Sequence, residues 1–351
     1  MMLRIYFNTI SILTSYNLEL PNVLTRQGAK VYVEISHPLL FGMYVLEKTS
    51  FAALPPYISS ILRRYLLKKV DIVHLNAFDL GLARAAKSLN KPVVFVLHTA
   101  PFNEEFYRLV NEYVDVYVAP SRFTYEGEYR KIGSKKVVTI PHGINTELFN
   151  PKIPKSYARK KLGLPESGKV VLWNDRISPE KDLELFLDAC EEILHEVKDA
   201  IIYIKGRAVV KSYLQKIKKK LEKLRKSGRV IVHIGWIPHH KLPLLYRAAD
   251  IFVRTSIYEN FGLGVVEAMA SGIPVVAPKR ATFPEILNNF PDCLSESTPE
   301  DLADKVIAML NNDQLRHELG NKLREIAEKH YSWNVIALRY TQLYNCLLYT
   351  S

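Results

Sequence analysis

The feature that most constrains this chain is a pattern that occurs twice. Short runs rich in Val, Ile and Tyr alternate with helical patterns: LRIYFN, KVYVEIS, DIVHLN, PVVFVLH, VYVAPS and VVTIPHG in the first half, then VVLWND, AIIYIKG, VIVHIG, DIFVRTS and PVVAP in the second. A short run that is apolar at nearly every position has both faces buried, as in a parallel sheet covered by helices on either side. The chain therefore predicts two doubly wound, Rossmann-like α/β domains. At 351 residues it is long enough for both. Residues 150–170 hold three prolines and two glycines among basic side chains and read as the linker. Residues 1–155 are the expected first domain and 156–334 the second.

Composition excludes several classes. With 48 Lys and Arg against 36 Asp and Glu the net charge is +12, which suits an anionic partner. The excess is shared between the halves and no nucleic-acid motif accompanies it, so no nucleic-acid partner is expected. Cys190, Cys293 and Cys346 lie far apart, which predicts neither a disulfide framework nor a zinc site and fits a reducing cytoplasm. No apolar run approaches the ~18–20 residues of a spanning helix. The stretch 51–70, with aromatics, Arg63, Arg64, Lys68 and Lys69, has the composition of a helix resting on an anionic inner leaflet, and equally of an ordinary helix with a charged edge. The basic stretch 211–229 carries an apolar stripe of Leu214, Ile217, Leu221 and Leu224, and reads as a surface helix packed on its own domain rather than a membrane site.

Two stretches carry chemistry. In Asp250–Pro278 a strand, a loop, a helix and a strand follow one another, with Glu259 and Glu267 eight positions apart on either side of Phe261-Gly262-Leu263-Gly264. Glycines there admit a ligand to the backbone, and the free N–H groups of a first helical turn favour a phosphate. A carboxylate inside that helix suits a pair of sugar hydroxyls better than a phosphate, which it would repel. A cap at Glu259 and a solvated Glu267 are the bland reading of the same residues. In Val170–Ala189, Arg176 and Lys181 are five residues apart across a strand-to-helix turn and can converge on one diphosphate, or else serve helix-start ion pairs.

Taken in order, these motifs resemble the retaining GT-B glycosyltransferases of family 4, the glycosyl transferases group 1. The resemblance rests on Glu259-NFGLGVV-Glu267 followed by AMASGIPVVAP, on Arg176 with Lys181, on VVTIPHGINTELFNP, on GWIPHHKLPLLYRAAD, and on Ser332-Trp333 with the closing helical pattern. It implies a GT-B fold with two Rossmann-like domains facing a central cleft, and a C-terminal helix, 335–351, that crosses back to the first domain. It implies transfer of a hexose from a nucleotide-diphosphate sugar to a glycan or lipid-linked acceptor hydroxyl, with no cofactor and no metal. By the same resemblance Arg176, Lys181, Glu259 and His98 are the catalytic set. Glu267 would hold the ribose, Glu259 with the backbone of Asn260, Phe261, Gly262 and Leu263 would face the donor sugar, Ile237 would contact the base through its main chain, and Gly206 would bind the donor.

The chain also departs from the family pattern. The loop 8–17 lacks the usual glycines, Asp175 precedes the diphosphate arginine in place of glycine, Asn260 replaces another glycine, and Lys279-Arg280-Ala281-Thr282 stands where a Gly-rich turn is usual. A carboxylate at 175 weakens diphosphate binding unless it turns away. The alternatives are a catalytically degenerate partner subunit in glycan assembly and an epimerase-like enzyme. Retention of the Arg176, Lys181 and Glu267 set speaks against both.

Overall fold

The structure, a computed structural model, describes residues 2–9, 16–37, 40–45, 50–53, 56–98, 101–133 and 136–350. Most of the glycine-free loop 8–17 falls outside them. The chain forms two compact units, Met1–Gly143 with Trp333–Ser351, and Ile144–Ser332.

The first unit is built on eight strands: β1 (Arg4–Thr9), β2 (Lys30–His37), β3 (Leu40–Val45), β4 (Ser50–Ala53), β5 (Ile72–Leu75), β6 (Val93–Val96), β7 (Val116–Ala119) and β8 (Lys136–Thr139). Their order is β4-β3-β2-β1-β5-β6-β7-β8. Six are parallel, and β5, β6 and β7 are buried at every position, as their unbroken apolar runs require. The antiparallel meander β2–β3–β4 was not anticipated. Its cause is chain length: only residues 38 and 39 separate β2 from β3, whereas a parallel return needs a crossover of about a dozen residues or more. One face of this sheet is covered by the helix Trp333–Thr350, whose Trp333, Ile336, Ala337, Tyr340 and Tyr344 join Ile5, Phe7, Val94 and Val96 in a single apolar cluster. A Cβ at Gly143 would lie 2.2 Å from the Trp333 ring, so only glycine lets that indole seat.

The second unit carries β9 (Lys169–Ile177), β10 (Ala200–Ala208), β11 (Val230–Ile234), β12 (Ile251–Val253), β13 (Val275–Pro278) and β14 (Leu294–Ser295) in the order β11-β10-β9-β12-β13-β14, all parallel. The order reverses at β9, whose neighbours β10 and β12 are reached in opposite directions. A crevice therefore opens at the carboxyl ends of β9 and β12, where ligands bind in such sheets.

The residues read as a linker fold instead. Lys155–Leu162 is a helix with Ala158 and Arg159 buried, and Arg159 Nη2 lies 2.8 Å from Asp250 Oδ2. Upstream, Phe149 is buried in the second unit's core, and Arg324 donates to its carbonyl. The units thus part at 143/144 and 332/333 rather than at 155/156 and 334/335. A buried arginine with its carboxylate holds the proline-containing segment to one side. The basic helix Lys211–Arg225 buries Tyr213, Ile217, Leu221 and Leu224, while Lys216, Lys220 and Lys223 pair with Glu184, Asp188 and Glu191 of the helix Leu183–Glu196. Part of its charge is met within the fold. Among the described residues no helix is long and apolar enough to cross a membrane.

Candidate functional site

Asp175 and Arg176 are near the end of β9, and Arg254 is the residue after β12. Because Val253 is in register with Trp173, Arg254 comes beside the Asn174–Asp175 segment and donates to the Asn174 carbonyl at 3.2 Å. Its Nη2 stands 2.6 Å from Asp175 Oδ2 and 2.7 Å from Glu259 Oε2. Lys181 Nζ reaches the same Glu259 oxygen at 2.7 Å and lies 3.5 Å from Asp175. Two cations and two carboxylates, all largely buried, form one closed cluster. Burial opposes charge on Glu259, but the fields and hydrogen bonds of Arg254 and Lys181 outweigh it and hold the carboxyl at about 2. A group so acidic is a poor base.

Glu259 leads into the turn that starts the helix Leu263–Ala270. Gly262 sits at φ 82°, where a Cβ would also meet the Phe283 ring at 3.0 Å. Asn260 Oδ1 accepts from Tyr258 at 3.0 Å, Phe261 is buried edge-on to Tyr331, and Leu263 opens the helix. Glu267, one turn into that helix, is 7% exposed. Its Oε2 accepts from the Tyr246 hydroxyl at 2.7 Å, and its Oε1 is 3.5 Å from His239 Nε2. The solvated-face reading of Glu267 is thereby excluded. Gly206 opposes Asp175 across β10 and β9, and a Cβ there would be 2.5 Å from the Asp175 carbonyl. Ile237, on the loop after β11, packs partly buried against the core.

Arg176 does not join Lys181. Its side chain is exposed, 3.6 Å from Glu180 Oε1, because β9 turns it to the opposite side from Asp175. Asp175 resolves the departure noted at that position, since it faces Arg254 and is neutralised there.

His98 belongs to the first unit. Its Nε2 lies 2.8 Å from Asn76 Oδ1 and its Nδ1 3.3 Å from His142 Nε2, with the two rings stacked. Asn76 Oδ1 also meets His74 Nε2 at 3.1 Å, and His74 Nδ1 meets the Tyr344 hydroxyl at 2.7 Å. Burial lowers His98 to about 4 and His74 to about 3. A cavity of about 10 Å³, room for one water, is lined there by Asn76, His98, His142 and Trp333. His142 is part of this chain of polar groups.

Sequence reasoning missed Arg254, Tyr246 and Asn76. A lone basic residue at the end of an apolar strand is the one signal that marks Arg254.

The pattern described as glycosyl transferases group 1 matches residues 155–326, and that described as glycosyltransferase family 4 matches residues 20–148. The chain belongs to the group 1 glycosyltransferases. This glycosyltransferase is 27% identical to a phosphatidyl-myo-inositol mannosyltransferase of Mycobacterium leprae over 94% of its own length and 91% of that protein's. It is 35% identical to a lipopolysaccharide core biosynthesis mannosyltransferase of Rhizobium meliloti, over 42% of each chain. Its fold is GT-B. HepE of Anabaena, solved with UDP and glucose, superposes with a TM-score of 0.73 at 19% identity over 98% of this chain and all of that one. A Rickettsia africae glycosyltransferase superposes with 0.80 at 18% identity over the whole of both.

In this glycosyltransferase the helix Pro56–Lys69 does not present all its basic residues outward. Arg63 turns in to Glu34 and to Asp79 at 3.1 Å, leaving Arg64, Lys68 and Lys69 exposed with Ile61 and Tyr65.

Proposed function

We propose that the chain transfers a hexose from a nucleotide-diphosphate sugar to an acceptor hydroxyl with retention of anomeric configuration. The observation that carries this reading is the pairing of Lys181 and Arg254 with Glu259 at the start of a helix that also holds Glu267. Glu267 offers a buried, hydrogen-bonded carboxylate to the ribose diol. The helix N-terminus and Lys181 face the diphosphate. Glu259 has one oxygen held by two cations. Its other oxygen takes the hydroxyls of the donor sugar.

In the reaction the bond from the anomeric carbon to the phosphate oxygen breaks as the acceptor oxygen bonds the same carbon on the same face. The hydroxyl proton passes to the departing phosphate. Charge grows on that diphosphate, so fixed cations and helix N–H groups that meet it there lower the barrier. A diphosphate stabilised in this way calls for no metal ion.

The acceptor class proposed is a glycan or a lipid-linked sugar. Mannosyl transfer to phosphatidyl-inositol in one relative and to lipopolysaccharide core in another supports it. The exposed Arg64, Lys68, Lys69, Ile61 and Tyr65 fit peripheral contact with an anionic leaflet.

The test is a thermal-shift screen against UDP, GDP, ADP and dTDP and their hexose conjugates, followed by product analysis with chelator present. A selective shift, lost in Glu267→Ala, and an α-linked product from an α-donor support the reading. No shift with any nucleotide overturns it.

A further inference from the structure

Among the described residues four cationic side chains are less than one-tenth exposed: Arg159, Lys181, Lys205 and Arg254. Arg159 holds Asp250, and Lys181 and Arg254 hold Glu259 and Asp175. Lys205 has no carboxylate. Its one partner is the Gly235 carbonyl, to which Nζ donates at 2.7 Å. An ammonium group has three N–H donors, so two remain. Withdrawing such a cation from water without an anion is costly, and burial lowers its pKa accordingly. A fold that keeps the group there has an acceptor to bring to it.

The position indicates which acceptor. Lys205 is on β10 in register with Asn174, so it lies on the far side of β9 from β12 and from the helix that faces the phosphates. Its head is under Gly235, where the loop after β11 begins. Trp236 is next on that loop and 68% exposed, and His239, which opens the short turn His239–Lys241, lies 3.5 Å from Glu267. The loop therefore runs from the Lys205 ammonium past an open aromatic face to the carboxylate assigned to the ribose. A nucleoside held by its ribose at Glu267 extends its base along this loop. Trp236 can stack on any base and discriminates little.

We propose that Lys205 reads a carbonyl oxygen of the donor's nucleobase, so that the donor carries an oxo base such as uracil, thymine, guanine or hypoxanthine. The inference rests on the nucleotide-sugar reading above. An amino group at the same place, as in cytosine or adenine, sets donor against donor and leaves the ammonium unpaired.

The experiment is calorimetric titration of the full chain with two matched pairs that differ in the carbonyl, UDP against CDP and IDP against ADP. Wild type should favour the oxo member of at least one pair by about tenfold or more. Lys205→Met should erase most of that preference while binding of the amino member is kept, which also shows the variant folded. Equal loss across all four nucleotides in Lys205→Met would make Lys205 a phosphate contact and overturn the inference. So would equal wild-type affinity within both pairs. Glu267→Ala separates the two levels of the argument: it should weaken all four alike. If wild type binds none of them, the nucleotide-sugar reading fails and takes this inference with it.

Discussion

Lys181 Nζ and Glu259 Oε2 are 2.7 Å apart, so the cation proposed for the leaving diphosphate and the carboxylate proposed for the donor sugar hold each other. Arg254 shares the same oxygen. Substrate arrival thus replaces one set of charge-assisted hydrogen bonds with another instead of creating a buried charge from nothing.

Glu259 gives this cluster a pH signature. Its pKa falls from 4.5 to about 2 on folding, so it adds stability that is complete above about pH 5 and fades as the pH falls through 2. The shift is worth roughly 3 kcal/mol. Glu259→Gln should lower urea stability by about that amount at pH 7 and by much less at pH 2.5. A loss equal at both pH values would show that packing, not charge, is responsible.

Lys181 and Glu267 should separate kinetically. Lys181→Ala removes a cation that matters most when charge builds on the diphosphate, and turnover should fall about 100-fold with a smaller change in donor affinity. Glu267→Ala should weaken nucleotide binding by about tenfold, the worth of a charge-assisted hydrogen bond. Unchanged rate and affinity in both variants would remove the site from consideration.

His98 should stay neutral across the working pH range. With burial lowering it to about 4, the unfolded chain takes up a proton near 6.5 before the folded one does, so its contribution to stability falls as pH drops from 7 towards 4. Nitrogen-15 spectra at pH 7 should show the Nε2–H tautomer, since Nε2 donates to Asn76 Oδ1 and Nδ1 faces His142. Asn76→Asp should raise the His98 pKa by setting a carboxylate beside it. An unmoved titration would mean the Asn76 contact is not formed.

The turn at Lys279–Thr282 should accept glycine with a gain. Ala281 has φ 53°, a left-handed conformation that costs a residue with a Cβ about 1–2 kcal/mol, part of which glycine's extra unfolded-state freedom takes back. Ala281→Gly should raise stability by about 0.5–1 kcal/mol, seen as a higher thermal midpoint. A lower midpoint would mean that the methyl group packs usefully.

Both sheets were legible because their inner strands are buried on both faces, which leaves unbroken apolar runs. The reversal of β3 against β2 was not, since a strand read by itself carries no direction; the two-residue connection after β2 holds that information. The linker failed for a related reason. Its prolines and lysines look solvated until Arg159 finds Asp250, a partner 91 positions away. In the site, Glu259, Glu267 and Lys181 were found through their spacing. Arg254 has no spacing partner, and its role follows only from the register that sets β12 against β9. Arg176 shows the reverse: five residues from Lys181, it points elsewhere because strand residues alternate sides.

The helix Trp333–Thr350 lends its apolar face to a unit whose other residues end at Gly143. During synthesis the first unit therefore leaves the ribosome with that sheet face covered only in part, by Leu20, Val23 and Leu24 of the helix Tyr16–Arg26, while the second, continuous from 144 to 332, can complete itself. Assembly runs against the usual N-terminal-first order. A chaperone that shields apolar β-surface would find its longest-lived target in Ile5, Phe7, Val94 and Val96 of the nascent chain.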